Sequence, residues 1–233
     1  MKITTKNSVI VFTALFACAP VVLSVISCGN LDVVARDSER SFDNLLAALP
    51  PHKLDGIDGK GWALDAPDRA ASFEILFEGK APSDFSLALK IDAKPFLDAG
   101  WDTGKLNGWD FADGKLTYRL NFDKNTPSVS ASPLEAYKHI LKNYRSIVGY
   151  HAALDHYGIN LGDGNLLEWA KDMSINDKDI VFVLNPEPFI AAGVDPSRIE
   201  GWSFAKVTVD DENGKPVQVD KILKPFDLNG NIK

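Results

Sequence analysis

The residues best suited to chemistry lie close together in the second half of the sequence. His151 and Asp155 are four positions apart, and His156 follows Asp155 directly. On a helix, His151 and Asp155 would share one face, where a carboxylate can orient an imidazole or both can bind a metal ion. Two ligands do not complete a metal site. A hydrogen-bonded core His151 with His156 near a helix C-terminus is the simpler interpretation.

Three tryptophans are further candidates for ligand binding: Trp62, Trp101 and Trp169. None of them has a tryptophan counterpart in the internal repeat described below. Aromatic side chains line many ligand grooves, but they also bury large areas in protein cores. We therefore keep these tryptophans, with His151 and Asp155, as possible ligand-binding residues, but half-buried core positions are the favoured interpretation of the tryptophans.

The sequence lacks the common catalytic motifs. It contains no Gly-rich phosphate loop, no G-x-S-x-G and no H-E-x-x-H. Residues 55–59 and 161–165 are weakly similar to calcium loops but do not continue to a glutamate at the twelfth position, so they indicate turns. We predict no catalytic residue, no metal and no cofactor. A carboxylate- or metal-dependent hydrolase using the region of His151 and Asp155 is the alternative.

The N-terminus has the layout of a signal peptide. Lys2 and Lys6 precede an apolar run, residues 9–26, that contains no charge. The run ends in Val-Ile-Ser-Cys-Gly, residues 25–29, which resembles the lipobox of bacterial lipoprotein precursors. The resemblance covers only about 30 residues. A retained transmembrane anchor is the alternative, because 18 apolar residues just suffice to span a bilayer.

The lipobox resemblance implies a lipid anchor. Residues 1–27 would be removed as the signal peptide, and Cys28 would be acylated, for example with palmitate, because its thiolate is a strong nucleophile. Residues 28–36 would then form a lipidated tether. We expect a protein of the cell envelope, attached to the membrane only through its lipid and facing the periplasm or the exterior.

Composition limits the other partners. The chain has 233 residues, two cysteines and a formal charge of −7. Cleavage after residue 27 removes Cys18, two lysines and no acid, so the mature charge becomes −9 with no free thiol or disulfide. Such an acidic chain lacks the basic face of a duplex nucleic-acid binder, so we predict no nucleic-acid partner.

An internal repeat divides the rest of the chain. Residues 91–112 align without gaps on residues 184–205, an offset of 93, and nine of the 22 pairs are identical. One or two identities would be expected by chance. We infer two modules, residues 37–125 and residues 130–228. The identical pairs are Pro95/Pro188, Phe96/Phe189, Ala99/Ala192, Gly100/Gly193, Asp102/Asp195, Gly108/Gly201, Trp109/Trp202, Phe111/Phe204 and Ala112/Ala205.

The pattern of each module predicts an α+β fold, with two tandem repeated modules that each combine a small, mainly antiparallel sheet with a packed helix. In the first module we predict a hairpin that turns at Asp113 and Gly114. The other predicted elements there are a helix over 38–49, strands over 71–77 and 84–92, and a short helix over 94–99 that ends at Gly100.

The second module differs at both ends. A capping box at Ser132 predicts a long helix that continues to Gly158 and includes His151. The strand over 180–184 is apolar on both faces, which indicates cover on its second face, and the first module is a candidate for that cover. The final hairpin is longer and turns at Asn213 and Gly214.

The repeat also separates shared framework from unique sites. Residues kept in both copies, such as Phe111 and Phe204, are expected in the core or in turns. A single binding site would then lie between the modules and take an unknown small molecule, glycan or protein. The sequence thus favours a non-catalytic binding or scaffold protein.

Overall fold

Antiparallel strands are the main regular secondary structure of the described residues in the computed structural model, and the helices there are few. The structure describes residues 28–55, 60–77, 85–106, 108–121, 132–144, 147–151, 155–173, 180–210 and 215–226. The predicted signal peptide and the turn at Asn213 and Gly214 lie outside these ranges. In the described residues, no helix is both long and apolar enough to cross a membrane.

The first half forms one six-stranded sheet, with neighbouring strands in the order β1-β2-β3-β4-β6-β5. Every pair in it is antiparallel. Its elements are α1 Cys28–Ala48, β1 His52–Asp55, β2 Lys60–Asp65, β3 Ala71–Phe77, β4 Phe85–Asp92, α2 Lys94–Asp98, β5 Asp110–Ala112 and β6 Lys115–Asn121.

The second half forms another six-stranded antiparallel sheet, in the order β7-β8-β9-β10-β12-β11. This order is the same as that of the first sheet, so the structure is consistent with two similar modules. Its elements are α3 Pro133–Asn143, β7 Val148–His151, β8 His156–Gly162, β9 Asn165–Ala170, β10 Ile180–Leu184, α4 Glu187–Ala191, a 3₁₀ turn Pro196–Arg198, β11 Ser203–Asp210 and β12 Pro216–Phe226.

Several local predictions in the first half are confirmed. The strands over 71–77 and 84–92 are β3 and β4, and the short helix is α2. Gly100 follows α2 with φ +106°. The β5–β6 hairpin turns at Asp113 and Gly114 with φ 52° and 74°, which fits a type I′ turn.

The predicted long helix after Ser132 is wrong. The capping prediction holds, because the Ser132 side chain accepts a hydrogen bond from the Glu135 amide, but α3 ends at Asn143. The strands β7 and β8 then follow, with Gly149 opposite Gly158. In β8 Tyr157, Ile159 and Leu161 are buried, and their spacing of two is typical of a strand rather than a helix.

The core joins both sheets and the first and third helices. Phe42 of α1 stacks on Tyr137 of α3, with ring centroids 4.0 Å apart, and meets Trp169 of β9 edge-on at 5.5 Å. Fully buried side chains of both sheets, such as Phe73 and Phe182, belong to the same apolar cluster. These contacts of α1 therefore reach the second half of the chain.

The second face of β10 carries an apolar cluster of its own. Val181 and Val183 form a separate apolar cluster with Leu166 of β9. Val207, Val219 and Leu223 of the β11–β12 hairpin pack against this cluster. The prediction that this face is covered is confirmed, because Val181 is 6% exposed and Val183 is 1% exposed.

Candidate functional site

His151 and Asp155 do not occupy one helical face. His151 is the last residue of β7 and is paired with His156, the first residue of β8. Asp155 precedes β8 in a left-handed conformation, with φ 54°, and its carboxylate accepts a hydrogen bond from the Tyr150 hydroxyl. The helical spacing that suggested metal binding is therefore absent. Within the described ranges, no group of three or more His, Cys, Asp or Glu residues is arranged to hold a metal ion.

The three candidate tryptophans lie on different elements. Trp169 is fully buried, and its indole Nε1 donates to Ser41 Oγ at 3.0 Å. Trp101 is only 6% exposed and meets the Phe111 ring edge-on at 4.9 Å. Trp62, on β2, is half-buried against the core. For Trp101 and Trp169, the core interpretation describes their surroundings better than an open ligand groove.

Repeat-related residues meet where the two modules join. The rings of Phe96 and Phe189 lie 4.8 Å apart. The Asp102 amide donates to the Ala192 carbonyl at 2.8 Å, and the Asp195 amide donates to the Ala99 carbonyl at 2.9 Å. Each contact has a counterpart at the offset of 93, so the junction has the reciprocal pattern of a twofold interface.

The centre of the junction is filled by backbone. A Cβ atom added to Gly100 would lie 3.0 Å from the Gly193 carbonyl oxygen, and one added to Gly193 would lie 3.2 Å from the Gly100 oxygen. Both glycines have positive φ, 106° and 92°. Side chains other than hydrogen would be strained and crowded at both positions. A ligand that contacts both modules here must therefore bind at the surface of the junction.

Two polar pairs also join the modules. The Tyr118 hydroxyl donates to Asp163 at 2.8 Å, and Lys224 Nζ lies 2.5 Å from Asp68. Tyr118 pairs with Leu89 in the first sheet, and Lys224 pairs with Phe182, the repeat counterpart of Leu89, in the second. Tyr118 and Lys224 thus occupy equivalent positions.

Tyr118 has the surroundings of a neutral hydroxyl, and Lys224 has those of a charged amine. Burial, and then the Asp163 carboxylate, raise the pKa of Tyr118, so its hydroxyl stays protonated. Lys224 Nζ also donates to the Gly201 carbonyl at 3.1 Å and lies 5.5 Å from the centre of the Trp202 ring. The ammonium therefore has an anion, a carbonyl and an aromatic face around it.

Four exposed apolar side chains come from the elements that form the junction, and we call them the junction surface. Leu97 of α2 is 39% exposed and its repeat counterpart Ile190 of α4 is 49% exposed. Phe111 of β5 is 46% exposed and Phe204 of β11 is 39% exposed. The expectation that Phe111 and Phe204 are core or turn residues is wrong, because both lie on strands at the edge of a sheet, where less of the ring is covered.

The sequence shows the residues of the junction surface but does not show that they are exposed. Leu97/Ile190 and Phe111/Phe204 are apolar in both copies, and apolar character by itself predicts a core position. Scattered exposed apolar residues are normal. Because the two sheets have the same strand order, repeat-related positions are expected to have similar exposure, and both pairs do.

A second group of titratable residues lies in the second sheet. His156 Nδ1 is 3.8 Å from Glu168 Oε2, and both side chains are almost fully buried. Lys221 is fully buried, and its Nζ lies 3.5 Å from the Gly164 carbonyl oxygen. Burial lowers the pKa of Lys221 to about 7, against the opposing effect of Glu187 and then Glu168. These groups are closed to solvent, so they offer no access for a substrate.

Comparison with known proteins adds no assignment: no family model, no curated protein and no solved structure matches this chain.

Proposed function

We propose that the mature protein is a non-catalytic, lipid-anchored binding or scaffold protein of the bacterial cell envelope, whose partner contacts both modules at the junction surface. The observation that carries this proposal is the exposure of Leu97, Ile190, Phe111 and Phe204, two repeat-related apolar pairs on the elements that meet at the junction. A partner that joins the four side chains into one contact would cover apolar surface from both modules.

The chemistry around the junction surface favours a protein partner. The centre of the junction is filled by backbone around Gly100 and Gly193, whereas small molecules prefer concave, largely enclosed sites. In residues 94–113 and 187–206, seven carboxylates stand against four basic side chains. A partner surface with an apolar centre and basic edges would complement this composition. A glycan or a small molecule is the other outcome that the test below distinguishes.

The proposal includes two modules in each of which a helix packs on its sheet. The fully buried ring of Phe96 on α2 and that of Phe189 on α4 support such packing for the short helices. The lipid anchor rests on the lipobox residues that end at Cys28. Labelling with a palmitate analogue tests it: wild type should incorporate the label and Cys28→Ser should not.

Site-specific photocrosslinking in cells tests the junction surface. A photoreactive amino acid at position 97 or 190 should give a discrete protein adduct, and Phe111→Ser combined with Phe204→Ser should abolish it. Val217 is paired with Val209, at the opposite end of the β11–β12 hairpin from Phe204. It is 37% exposed and serves as the matched control for both labelling and substitution to Ser. Equal adducts at position 217, or none at 97 and 190, would refute the proposed protein partner. Adducts with a glycan or a small molecule would also refute it.

A further inference from the structure

The two sheets end in four strands of different length. Among the described strands, β1, β5 and β7 lie at three of these ends and have four, three and four residues. The fourth, β11, has eight residues and pairs with β12 on one side. The unpaired N–H and C=O groups of a long end strand can pair with another chain, so proteins commonly keep such strands short. Of these four edges, that of β11 offers the most backbone to another strand.

The hairpin of β11 and β12 extends beyond its sheet. The neighbouring strand β10 pairs with residues 222–226 of β12, whereas residues 216–221 pair only with β11 among the described strands. The equivalent hairpin of the first sheet has no such extension, since β4 pairs along the full length of β6. A ribbon of two strands is only marginally stable in water. The extension thus distinguishes the second module from the first, and a third strand would stabilise it.

One face of this extension is polar. Lys206 Nζ donates to the Asp220 carboxylate at 2.8 Å, and the Gln218 amide donates to the Thr208 hydroxyl. Lys206 and Thr208 are exposed, as is Phe204 earlier in β11. Exposed side chains at alternate positions from 204 to 208 are consistent with an edge that the described parts of the chain leave open.

The other face of the extension is apolar. Val207 and Val219 are opposite each other and are partly buried against the apolar cluster on the second face of β10. Val217 lies nearer to the end of the hairpin and is 37% exposed. An added strand with apolar residues at matching positions would extend this face.

The sequence of β11 is complementary to itself in an antiparallel register. When two copies of β11 pair about Thr208, Lys206 stands opposite Asp210 of the second copy, and Val207 stands opposite Val209. Twofold symmetry makes each pair occur twice. Opposite charges and β-branched residues at facing positions both stabilise antiparallel strands. Pairing about Lys206 would instead place two ammonium groups face to face.

We propose that the outer edge of β11 docks a second copy of this chain, which adds its own β11 in the antiparallel orientation about Thr208. The second sheets of the two copies then become one continuous sheet. Each apolar row across the four hairpin strands consists of two valines from each chain, at register positions 219 and 207 of one copy and 209 and 217 of the other. This dimer requires neither the lipid anchor nor the partner of the junction surface.

Disulfide trapping tests the register, and it also detects a weak dimer, as expected between two acidic chains. In a chain with Cys18→Ser and Cys28→Ser, Thr208→Cys places two thiols opposite each other, with Cβ atoms about 4.5–5.5 Å apart. Gln218→Cys is the matched control. It is also exposed and lies on the neighbouring strand, but three strand spacings, about 14 Å, would separate it from its copy.

We expect mild oxidation to convert the Thr208→Cys chain to a covalent dimer and to leave the Gln218→Cys chain monomeric. Equal dimer at the two positions would indicate random collision and overturn the proposal, as would no dimer at position 208. In the photocrosslinking experiment above, an adduct of position 217 with a second copy would contain only this chain, so it is distinct from the partner adduct expected at positions 97 and 190.

A charge exchange tests the pairing without relying on a disulfide. Lys206→Asp places like charges opposite each other twice and should weaken the dimer of the otherwise unchanged chain roughly tenfold in sedimentation equilibrium. Lys206→Asp combined with Asp210→Lys restores opposite charges in the proposed register and should recover the dimer. Urea unfolding of both variants separates loss of the dimer from loss of the fold. A double variant that dimerises no better than folded Lys206→Asp would overturn the proposed register and with it the docking edge.

Discussion

Lys221 and Lys115 show how equivalent positions acquire different properties. Lys115 is opposite Ala112, and Lys221 is opposite Ala205, the repeat counterpart of Ala112. The Lys115 side chain is 36% exposed and pairs with Asp92, whereas Lys221 is fully buried. The aligned repeat ends at Ala112 and Ala205, so only the strand register shows that the two lysines are equivalent, and the packing of the second sheet makes Lys221 costly to charge.

Lys221→Met should therefore flatten the pH dependence of stability. The folded-state pKa of about 7 lies below the ordinary 10.5, so between these values the unfolded chain binds the extra proton and stability rises with pH. The contribution is up to about 1.4 kcal/mol per pH unit. Urea unfolding at pH 7.5 and pH 9.5 measures this rise.

Lys115→Met is the matched control for this measurement, because it removes the lysine at the equivalent, partly exposed position. We expect it to retain the wild-type rise. An equal rise in the wild type and in Lys221→Met would contradict the role of the buried amine.

At the scale of elements, the turns after α2 and α4 determine how closely the modules approach. Both end at a glycine with positive φ, and each glycine faces the carbonyl oxygen of the other. The sequence predicted that Gly100 and Gly193 end these turns, because each follows a short helix. It gave no sign that the two turns touch, because that contact joins residues 93 positions apart.

Gly100→Ala should destabilise the protein more than Gly114→Ala. Both positions have positive φ, but a Cβ at Gly114 meets nothing within 4 Å, while one at Gly100 lies 3.0 Å from backbone. We expect a loss of about 1 kcal/mol for Gly114→Ala and about 2–3 kcal/mol for Gly100→Ala. Urea unfolding gives both values. Equal losses would show that the junction yields to the extra methyl group.

At the scale of the whole molecule, the two cross-module polar pairs should differ in strength. Asp68→Asn removes the anion beside Lys224, whose side chain is only 2% exposed, and a buried ammonium left with weaker partners is costly. Asp163→Asn leaves the neutral Tyr118 hydroxyl an amide oxygen as acceptor. We expect losses of about 2 kcal/mol and at most about 1 kcal/mol, respectively.

Thermal or urea unfolding of the two variants measures this difference. The two substitutions make the same chemical change at pairs that lie at equivalent positions of the modules, so each is the control for the other. A larger loss for Asp163→Asn than for Asp68→Asn would contradict the electrostatic explanation.

The sequence by itself determined the features that depend on near neighbours along the chain. The spacing of apolar residues predicted β3 and β4, and the Asp113 and Gly114 pair predicted the turn of the first hairpin. The internal repeat predicted two modules of the same fold. The prediction failed at residues 147–151 and 155–158, because a helical and a strand-like apolar pattern overlap there, and the pairing of β7 with β8 decides between them.

The tertiary structure alone decided which shared residues are buried and which are exposed. Phe96 and Phe189 are buried against each other across the junction, whereas Phe111 and Phe204, equally shared by the two copies, are exposed at sheet edges. The same rule separated Lys221 from Lys115. Burial depends on which distant segments approach a side chain, and that approach is set by the packing of the two sheets rather than by the type of the residue.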